Sequence, residues 1–262
     1  MMKTKIVQPL KFQAFTLIEL AVVLVIIGLI AGGVMVGLDM IKAAGVRAQV
    51  NQIQQFQTAV HTFKLKYNAL PGDISSASAA QSGLVSRSGN VGYGDGNGLI
   101  GIGYPKSDNQ YFYGEMLLFW RDLSAAGLID DSFNFYTSGQ ITTVATNADF
   151  SRYLPKQKIG NENGYILVYS YNGAPYFEMR SLDHATNSFL YAPGFENITP
   201  NEGYNIDVKI DDGMCRTGTV TANFDNPYFG ATSCIRDTPR NYNMSTTEIA
   251  NSPICTGLRF DF

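Results

Sequence analysis

One hydrophobic segment near the start of the chain differs from the rest in length and uniformity. From Leu20 to Leu38, nineteen consecutive residues carry no charge, and twelve of them are Leu, Ile or Val. A helix needs about 20 apolar residues to cross the hydrocarbon core of a bilayer. At about −0.3 to −0.6 kcal/mol each, these twelve favour insertion by roughly 4–7 kcal/mol. The pattern therefore predicts a membrane-spanning helix.

Beyond this segment the hydrophobic pattern becomes periodic. Apolar residues recur at steps of three and four, which form one stripe on a helix: Val46, Val50, Ile53, Phe56, Val60, Phe63 and Tyr67. The intervening residues predict a polar face made of Arg47, Gln49, Asn51, Gln52, Gln54, Gln55 and Lys64. We expect one helix from Phe15 to Tyr67, apolar all round in its first half and amphipathic in its second. Leu70-Pro71-Gly72-Asp73 ends it, because Pro cannot continue a helix.

The rest of the chain predicts a head that mixes helices and strands. A linker rich in Ser, Ala and Gly is expected to reach Gly103. Asn172-Gly173 lies between two alternating segments, which is a strong hairpin signal. Thr199-Pro200-Asn201-Glu202 has the pattern of a capping box at the start of a short helix. Three further predictions are a helix from Tyr113 to Gly127, a core position for Trp120, and a final half-buried strand through Leu258, Phe260 and Phe262.

Charges flank the apolar segment unevenly. Lys3, Lys5 and Lys11 precede it without any acidic residue, so the positive-inside rule places the N-terminus in the cytoplasm and the head in the periplasm. Glu19 lies at the N-terminal end of the predicted membrane-spanning segment. A carboxylate there is costly, and an intramembrane acid is a functional hypothesis by default. Glu19 is therefore expected to meet a positive partner.

The string Phe15-Thr16-Leu17-Ile18-Glu19-Leu20, with a basic leader before it and an apolar helix after it, resembles the type IV prepilin signature. Type IV pilins, competence pilins and the pseudopilins of type II secretion share this signature. The resemblance implies cleavage by prepilin peptidase between Ala14 and Phe15, and N-methylation of Phe15. Ala14 replaces the Gly that is usual there and is the nearest small substitute. Tyr67-Asn68-Ala69-Leu70-Pro71-Gly72-Asp73 also resembles the stalk exit of pseudopilin-like proteins.

The resemblance implies a pilin-like α+β fold, in which a long N-terminal helix packs on an antiparallel β-sheet head. The expected organisation is a leader at 1–14, a transmembrane and assembly half at 15–38, an amphipathic half at 39–70 and a periplasmic head at 71–262. Glu19 is expected to pair with the terminal amine of a neighbouring subunit. Two opposite charges in a low dielectric are each costly alone and favoured together.

The expected role is mechanical. The chain would be a subunit, minor by the size of its head, of a type IV pilus or a type II secretion pseudopilus. Its partners would be the prepilin peptidase and N-methyltransferase, other pilin or pseudopilin subunits and the inner-membrane assembly platform. It would reside in the bacterial inner membrane as a single-pass protein and then in the filament. The alternative is an anchored or surface-displayed binding module, such as an adhesin, with a prepilin-like leader.

Composition and motifs bear on two other classes of function, nucleic-acid binding and catalysis. The formal net charge is −3, and without the three leader lysines 16 basic residues stand against 22 acidic ones, a value near −6. Such a charge does not indicate a nucleic-acid binder. Neither histidine belongs to a zinc motif, and the sequence contains no nucleophile elbow or Walker loop. We therefore predict no enzymatic activity and no required cofactor.

Two candidate sites remain in the head. Asp95 and Asn97 alternate within a glycine-rich stretch and could offer oxygen ligands to Ca²⁺, although a plain turn-rich loop is the favoured interpretation. Three cysteines occur late in the chain, and an oxidising periplasm favours a bridge between two of them. We predict a disulfide between Cys234 and Cys255, which closes a short loop ahead of the final strand. Cys215 is then left over. Sequence alone leaves the other pairings open.

Overall fold

The computed structural model describes residues 16–89, 92–101, 114–133, 150–160, 162–171, 173–182, 198–222, 242 and 257–262. Its elements follow the chain in the order helix α1 (Leu17–Tyr67), α2 (Ser76–Gln81) and α3 (Glu115–Ala125), a 3₁₀ turn (Phe150–Arg152), strands β1 (Gly164–Tyr171) and β2 (Ala174–Ser181), helix α4 (Pro200–Ile210), and strands β3 (Val220–Ala222) and β4 (Gly257–Asp261). The fold is α+β and pilin-like, as predicted: a long N-terminal helix together with a small antiparallel sheet.

Helix α1 runs for 51 residues without a break. Val46, Val50, Ile53, Phe56, Val60 and Phe63 are buried, which confirms the predicted stripe. The predicted polar face is wrong at two positions, because Gln49 and Gln52 are buried as well. Gln49 accepts a hydrogen bond from the Lys158 N–H (2.7 Å), and Gln52 donates to the Lys156 carbonyl (2.9 Å). These amides hold the segment before β1 against the helix.

Within the described residues, four strands form one antiparallel sheet in the order β1-β2-β4-β3. The β1–β2 hairpin is the predicted one, and Gly173 has a φ of +84°, the left-handed conformation that such a tight turn requires. The final strand is also confirmed, since Leu258 and Phe260 are buried in β4. β4 lies between β2 and β3 although it comes last along the chain.

An aromatic cluster joins α1, α3 and the sheet. The Trp120 ring lies 4.9 Å from Phe56 and 5.7 Å from Phe177 between centroids, and Trp120 is fully buried. Such ring pairs contribute about 0.5–1.5 kcal/mol beyond the area that they bury. The core position predicted for Trp120 and the predicted α3 helix are both confirmed.

The segment after α1 packs tightly, so the predicted linker is wrong over residues 74–89 and 92–101. Helix α2 lies within it, and Ile74, Leu84 and Ile100 are buried. Arg87 forms a buried ion pair with Asp122 of α3, with distances of 2.7 and 2.9 Å. Gly72 has a φ of +81°, and a Cβ there would lie 2.4 Å from the Glu115 carbonyl oxygen. The composition of this segment predicted a linker, but the buried Arg87–Asp122 ion pair and the buried apolar side chains hold the segment in place.

The chain divides into two compact units at the Ala44–Gly45 bond, which lies inside α1. The first unit contains the apolar part of the helix. The second contains the rest of α1 and all the other elements that the structure describes. The domain bounds expected at 38 and 70 remain predictions.

Candidate functional site

The start of α1 carries a hydrogen-bonded pair. Glu19 accepts from the backbone N–H of Thr16 and from its hydroxyl, both at 2.8 Å, and the Thr16 hydroxyl accepts from the Glu19 N–H at 3.3 Å. This is the reciprocal arrangement of a capping box, in which a Thr ahead of the helix and a Glu three residues later satisfy each other's backbone donors. Thr16 is thus a local partner of Glu19 that was not among the predictions from sequence.

The helix that follows is exposed at every position of its apolar part except Gly37, which is half-buried. Its most apolar window of 18 residues has a mean hydropathy of 2.8, and none of that window is buried. Leu24, Leu29 and Ile30 are between 61% and 73% exposed. By length and composition this helix can cross a membrane, which is consistent with membrane anchoring.

Comparison with protein families matches residues 10–35 to the prokaryotic N-terminal methylation motif. The chain carries the type IV pilin and pseudopilin signature. The signature spans the predicted cleavage bond, Glu19 and most of the apolar segment, and it indicates a structural subunit rather than an enzyme. No curated protein and no solved structure matches the chain.

The two residues that flank the predicted cleavage bond lie outside the described residues. Ala14 as the last leader residue and Phe15 as the methylated terminus therefore stay predictions. Cys234 and Cys255 also lie outside them, so their disulfide remains a prediction too. Cys215 is buried, and burial raises the pKa of its thiol to about 11. This thiol stays protonated and unreactive at neutral pH.

Three carboxylates from distant parts of the sequence meet in the head. Asp73 follows α1, Asp95 lies in the glycine-rich loop and Glu115 begins α3; one oxygen of each lies within 4.8 Å of the others. The loop wraps around them. Asp73 accepts from the N–H groups of Gly96, Asn97 and Gly98 at 2.7–3.0 Å, and Glu115 accepts from those of Gly94, Asp95 and Gly101 at 2.7–3.4 Å.

Burial disfavours charge on these groups more than the backbone donors favour it. It raises the pKa of Asp73 to about 6 and that of Glu115 to about 7, and the neighbouring carboxylates add to both shifts. An oxygen-only donor set at this spacing suits Ca²⁺, whose ligands lie about 2.3–2.6 Å from the ion. Asp73, Asp95 and Glu115 are thus the residues that would hold such an ion.

The structure places the two predicted calcium ligands differently from each other. Asp95 belongs to the carboxylate group. Asn97 turns its side-chain NH₂ toward Asp95 (2.9 Å), while its oxygen accepts from the Leu99 N–H (2.7 Å). The calcium prediction stays a prediction. Sequence reasoning missed Asp73 and Glu115; the only local signal was an acid directly after Pro71-Gly72.

A groove of about 760 Å³ follows the polar face of α1. Its walls are polar side chains of α1 between residues 51 and 62, the apolar Phe56 and Ala59 between them, the segment Leu128–Asp131 and Lys158. This lining offers hydrogen-bond donors and acceptors together with apolar surface from residues such as Leu128 and Ile129. This groove is the second place in the described head where a partner could bind.

Proposed function

We propose that the chain is a filament subunit of a type IV pilus or a type II secretion pseudopilus, minor by the size of its head. Prepilin peptidase cuts it after Ala14, the new terminus at Phe15 is methylated, and the subunits assemble by bundling their apolar helices. The observation that carries the proposal is the methylation motif at 10–35, which continues into an exposed, uncharged helix. An apolar rod of this kind is stable only in lipid or among other helices.

Glu19 is the residue on which assembly depends in this proposal. Its charge pairs with the terminal amine of a neighbouring subunit, and its hydrogen bonds to Thr16 also cap the helix. The two roles can be separated, because a capping box accepts Gln as well as Glu. Glu19→Gln keeps the cap and removes the charge. Thr16→Ala removes the hydroxyl of the cap and keeps the charge.

The test measures how much sheared or secreted filament each variant forms when it is the sole source of this subunit. We expect Glu19→Gln to lower the yield at least about tenfold, since an uncompensated amine in low dielectric costs several kcal/mol. Thr16→Ala should stay within about twofold of the parent, because a lost cap costs about 1 kcal/mol. Normal yield for Glu19→Gln together with poor yield for Thr16→Ala would show that Glu19 is a helix cap only.

The competing function is a membrane-anchored binding module, and the groove along α1 favours it. Loss of prepilin peptidase separates the two proposals. A filament subunit then keeps residues 1–14, stays in the inner membrane and forms no polymer. A module that only uses the helix as an anchor is equally abundant and binds its partner equally well with or without the peptidase. Intact-mass measurement of the native protein reports the cut and the methyl group together.

A further inference from the structure

Asn97-Gly98 differs from an ordinary Asn-Gly pair in its contacts. The Gly98 N–H donates to Asp73 Oδ2 at 2.7 Å. Asn97 Oδ1 accepts from the Leu99 N–H at 2.7 Å, and Asn97 Nδ2 donates to Asp95 Oδ2 at 2.9 Å. An Asn side chain bonded to the N–H two residues later curls back over the nitrogen between them. The side-chain carbonyl of Asn97 is therefore held over the nitrogen of Gly98.

Each of these contacts can assist one step of a reaction in which the Gly98 nitrogen attacks the side-chain carbonyl carbon of Asn97 and closes a ring. Asp73 can take the proton of the Gly98 nitrogen, which makes that nitrogen a nucleophile. The Leu99 N–H lies where negative charge develops on Asn97 Oδ1, as a donor in an oxyanion hole does. Asp95 orients the nitrogen that must leave. Gly98 has no side chain to block the approach, and both residues are exposed to the water that completes the reaction.

We propose that Asn97-Gly98 is a self-modifying site that deamidates with Asp73 as its general base. The Gly98 N–H proton passes to Asp73, and the Gly98 nitrogen bonds to Asn97 Cγ. The Cγ–Nδ2 bond then breaks, the departing nitrogen takes up the transferred proton, and ammonia leaves a five-membered succinimide. Water opens this ring at either carbonyl and gives aspartate or isoaspartate at position 97. Nothing is oxidised or reduced.

A second Asn-Gly pair in the same chain serves as a comparison for Asn97-Gly98. Asn163-Gly164 has the same sequence but begins β1, where the Asn163 carbonyl accepts from the Leu182 N–H at 2.9 Å and Gly164 pairs with Ser181. Cyclisation requires rotation of the backbone between Asn and Gly, and the bonds of the sheet oppose that rotation. Position 97 should therefore react faster than position 163 in the folded chain, although their intrinsic reactivity is alike.

The experiment compares the full chain in detergent with a free peptide of residues 88–106, incubated together in one buffer. Peptide mapping by mass spectrometry follows the mass gain of amide-to-acid conversion at each Asn. General-base assistance is worth a factor of about 100 or more, so we expect position 97 to react at least about tenfold faster in the folded chain than in the peptide. Equal or slower reaction in the folded chain overturns the proposal.

Two variants locate the base. Asp73→Asn removes the group on the Gly98 N–H and should slow the folded chain at least about tenfold. Ser76→Ala is the control: it removes a hydrogen bond that orders the same segment, from the Ser76 hydroxyl to the Arg87 carbonyl at 2.8 Å, and the lost hydroxyl does not contact Asn97 or Gly98. The control should stay within about threefold of the parent. Equal slowing by both variants would mean that loop order, and not Asp73, sets the rate, and the assigned base would then be wrong.

Discussion

Asp207 shows how a single buried acid shapes the response of the head to pH. Its carboxylate is fully buried, accepts from the Tyr242 hydroxyl at 2.9 Å and accepts from the Gly213 N–H at 3.0 Å. Burial raises its pKa to about 6, and the acids at 211 and 212 raise it further, against the effect of the two hydrogen bonds. The folded state therefore holds a proton on Asp207 that the unfolded chain, with an ordinary pKa near 3.8, has already released.

The raised pKa of Asp207 determines how the stability of the head changes with pH. Because the folded pKa is the higher one, the contribution to stability is complete below about pH 4 and is lost as pH rises through 6. Asp207→Asn removes this dependence, since an amide accepts from Gly213 and donates to the Tyr242 oxygen as the protonated acid does. Urea unfolding measures the difference in unfolding free energy between the variant and the parent. We expect this difference to rise by about 1–3 kcal/mol in favour of the variant from pH 4.5 to pH 7.5.

Asp212→Asn is the control for this comparison, because it makes the same charge change in the same turn. Hydrogen bonds from Thr217 and Met214 lower the pKa of Asp212, which is exposed. Its replacement should therefore shift stability in the opposite direction with pH. A gain from both substitutions would point to the net charge of the turn and not to the burial of Asp207.

At the scale of elements, α4 shows how local chemistry determines where a helix begins. Thr199 precedes the helix, Pro200 opens it, and the Thr199 and Glu202 side chains each bond the backbone N–H of the other residue at 2.9–3.1 Å. Loss of such a cap costs about 1 kcal/mol. We expect Thr199→Ala to lower the unfolding free energy by about that amount in urea titrations. Thr199→Ser keeps the hydroxyl and should cost little, and an equal loss from both would mean that the threonine methyl group matters instead.

The elements that were predictable from sequence share one property, which is that their signal is local. The stripe on α1, the Asn-Gly hairpin and the capping box each follow from residues within a few positions of one another. Gln49 and Gln52 were misassigned because a polar residue on a helix is usually exposed. Their burial depends on carbonyl and N–H groups at Lys156 and Lys158, more than 100 positions away. Periodicity cannot show such a partner.

The candidate site divides in the same way. Glu19 stands out from sequence because a carboxylate interrupts an apolar pattern, and Asp95 stands out because glycines surround it. Asp73 and Glu115 carry no such signal, since an acid after a turn or at the start of a helix is ordinary. Only the path of the loop brings them to Asp95. A buried group of acidic side chains such as this one is a property of the tertiary structure and not of the local sequence.

At the scale of the whole molecule, α1 joins an uncharged apolar part and an amphipathic part in one helix. A lysine at the centre of a span costs about 2.5–3.5 kcal/mol, against roughly 4–7 kcal/mol that favour insertion here. We expect Leu29→Lys to reduce the share of protein that resists alkaline extraction from membranes, and Leu29→Lys with Ile30→Lys to abolish it. Leu65→Lys is the matched control, because Leu65 is 88% exposed on the amphipathic half of the same helix. Loss of anchoring by Leu65→Lys would contradict the assignment of the span to Leu20–Leu38.

The order of strands has a consequence for how such a chain matures in the cell. β4 supplies the hydrogen-bonding edge for both β2 and β3, yet Gly257–Asp261 is made more than 70 residues after β2 ends. In the proposed topology the anchor enters the membrane first and the head follows it, so the β1–β2 hairpin is exported before the strand that pairs with it. Until residues 257–261 follow, the edge of β2 that β4 covers has no strand beside it, and an unpaired edge can bind other chains. Under the proposed function, protection of this edge therefore depends on the export of β4.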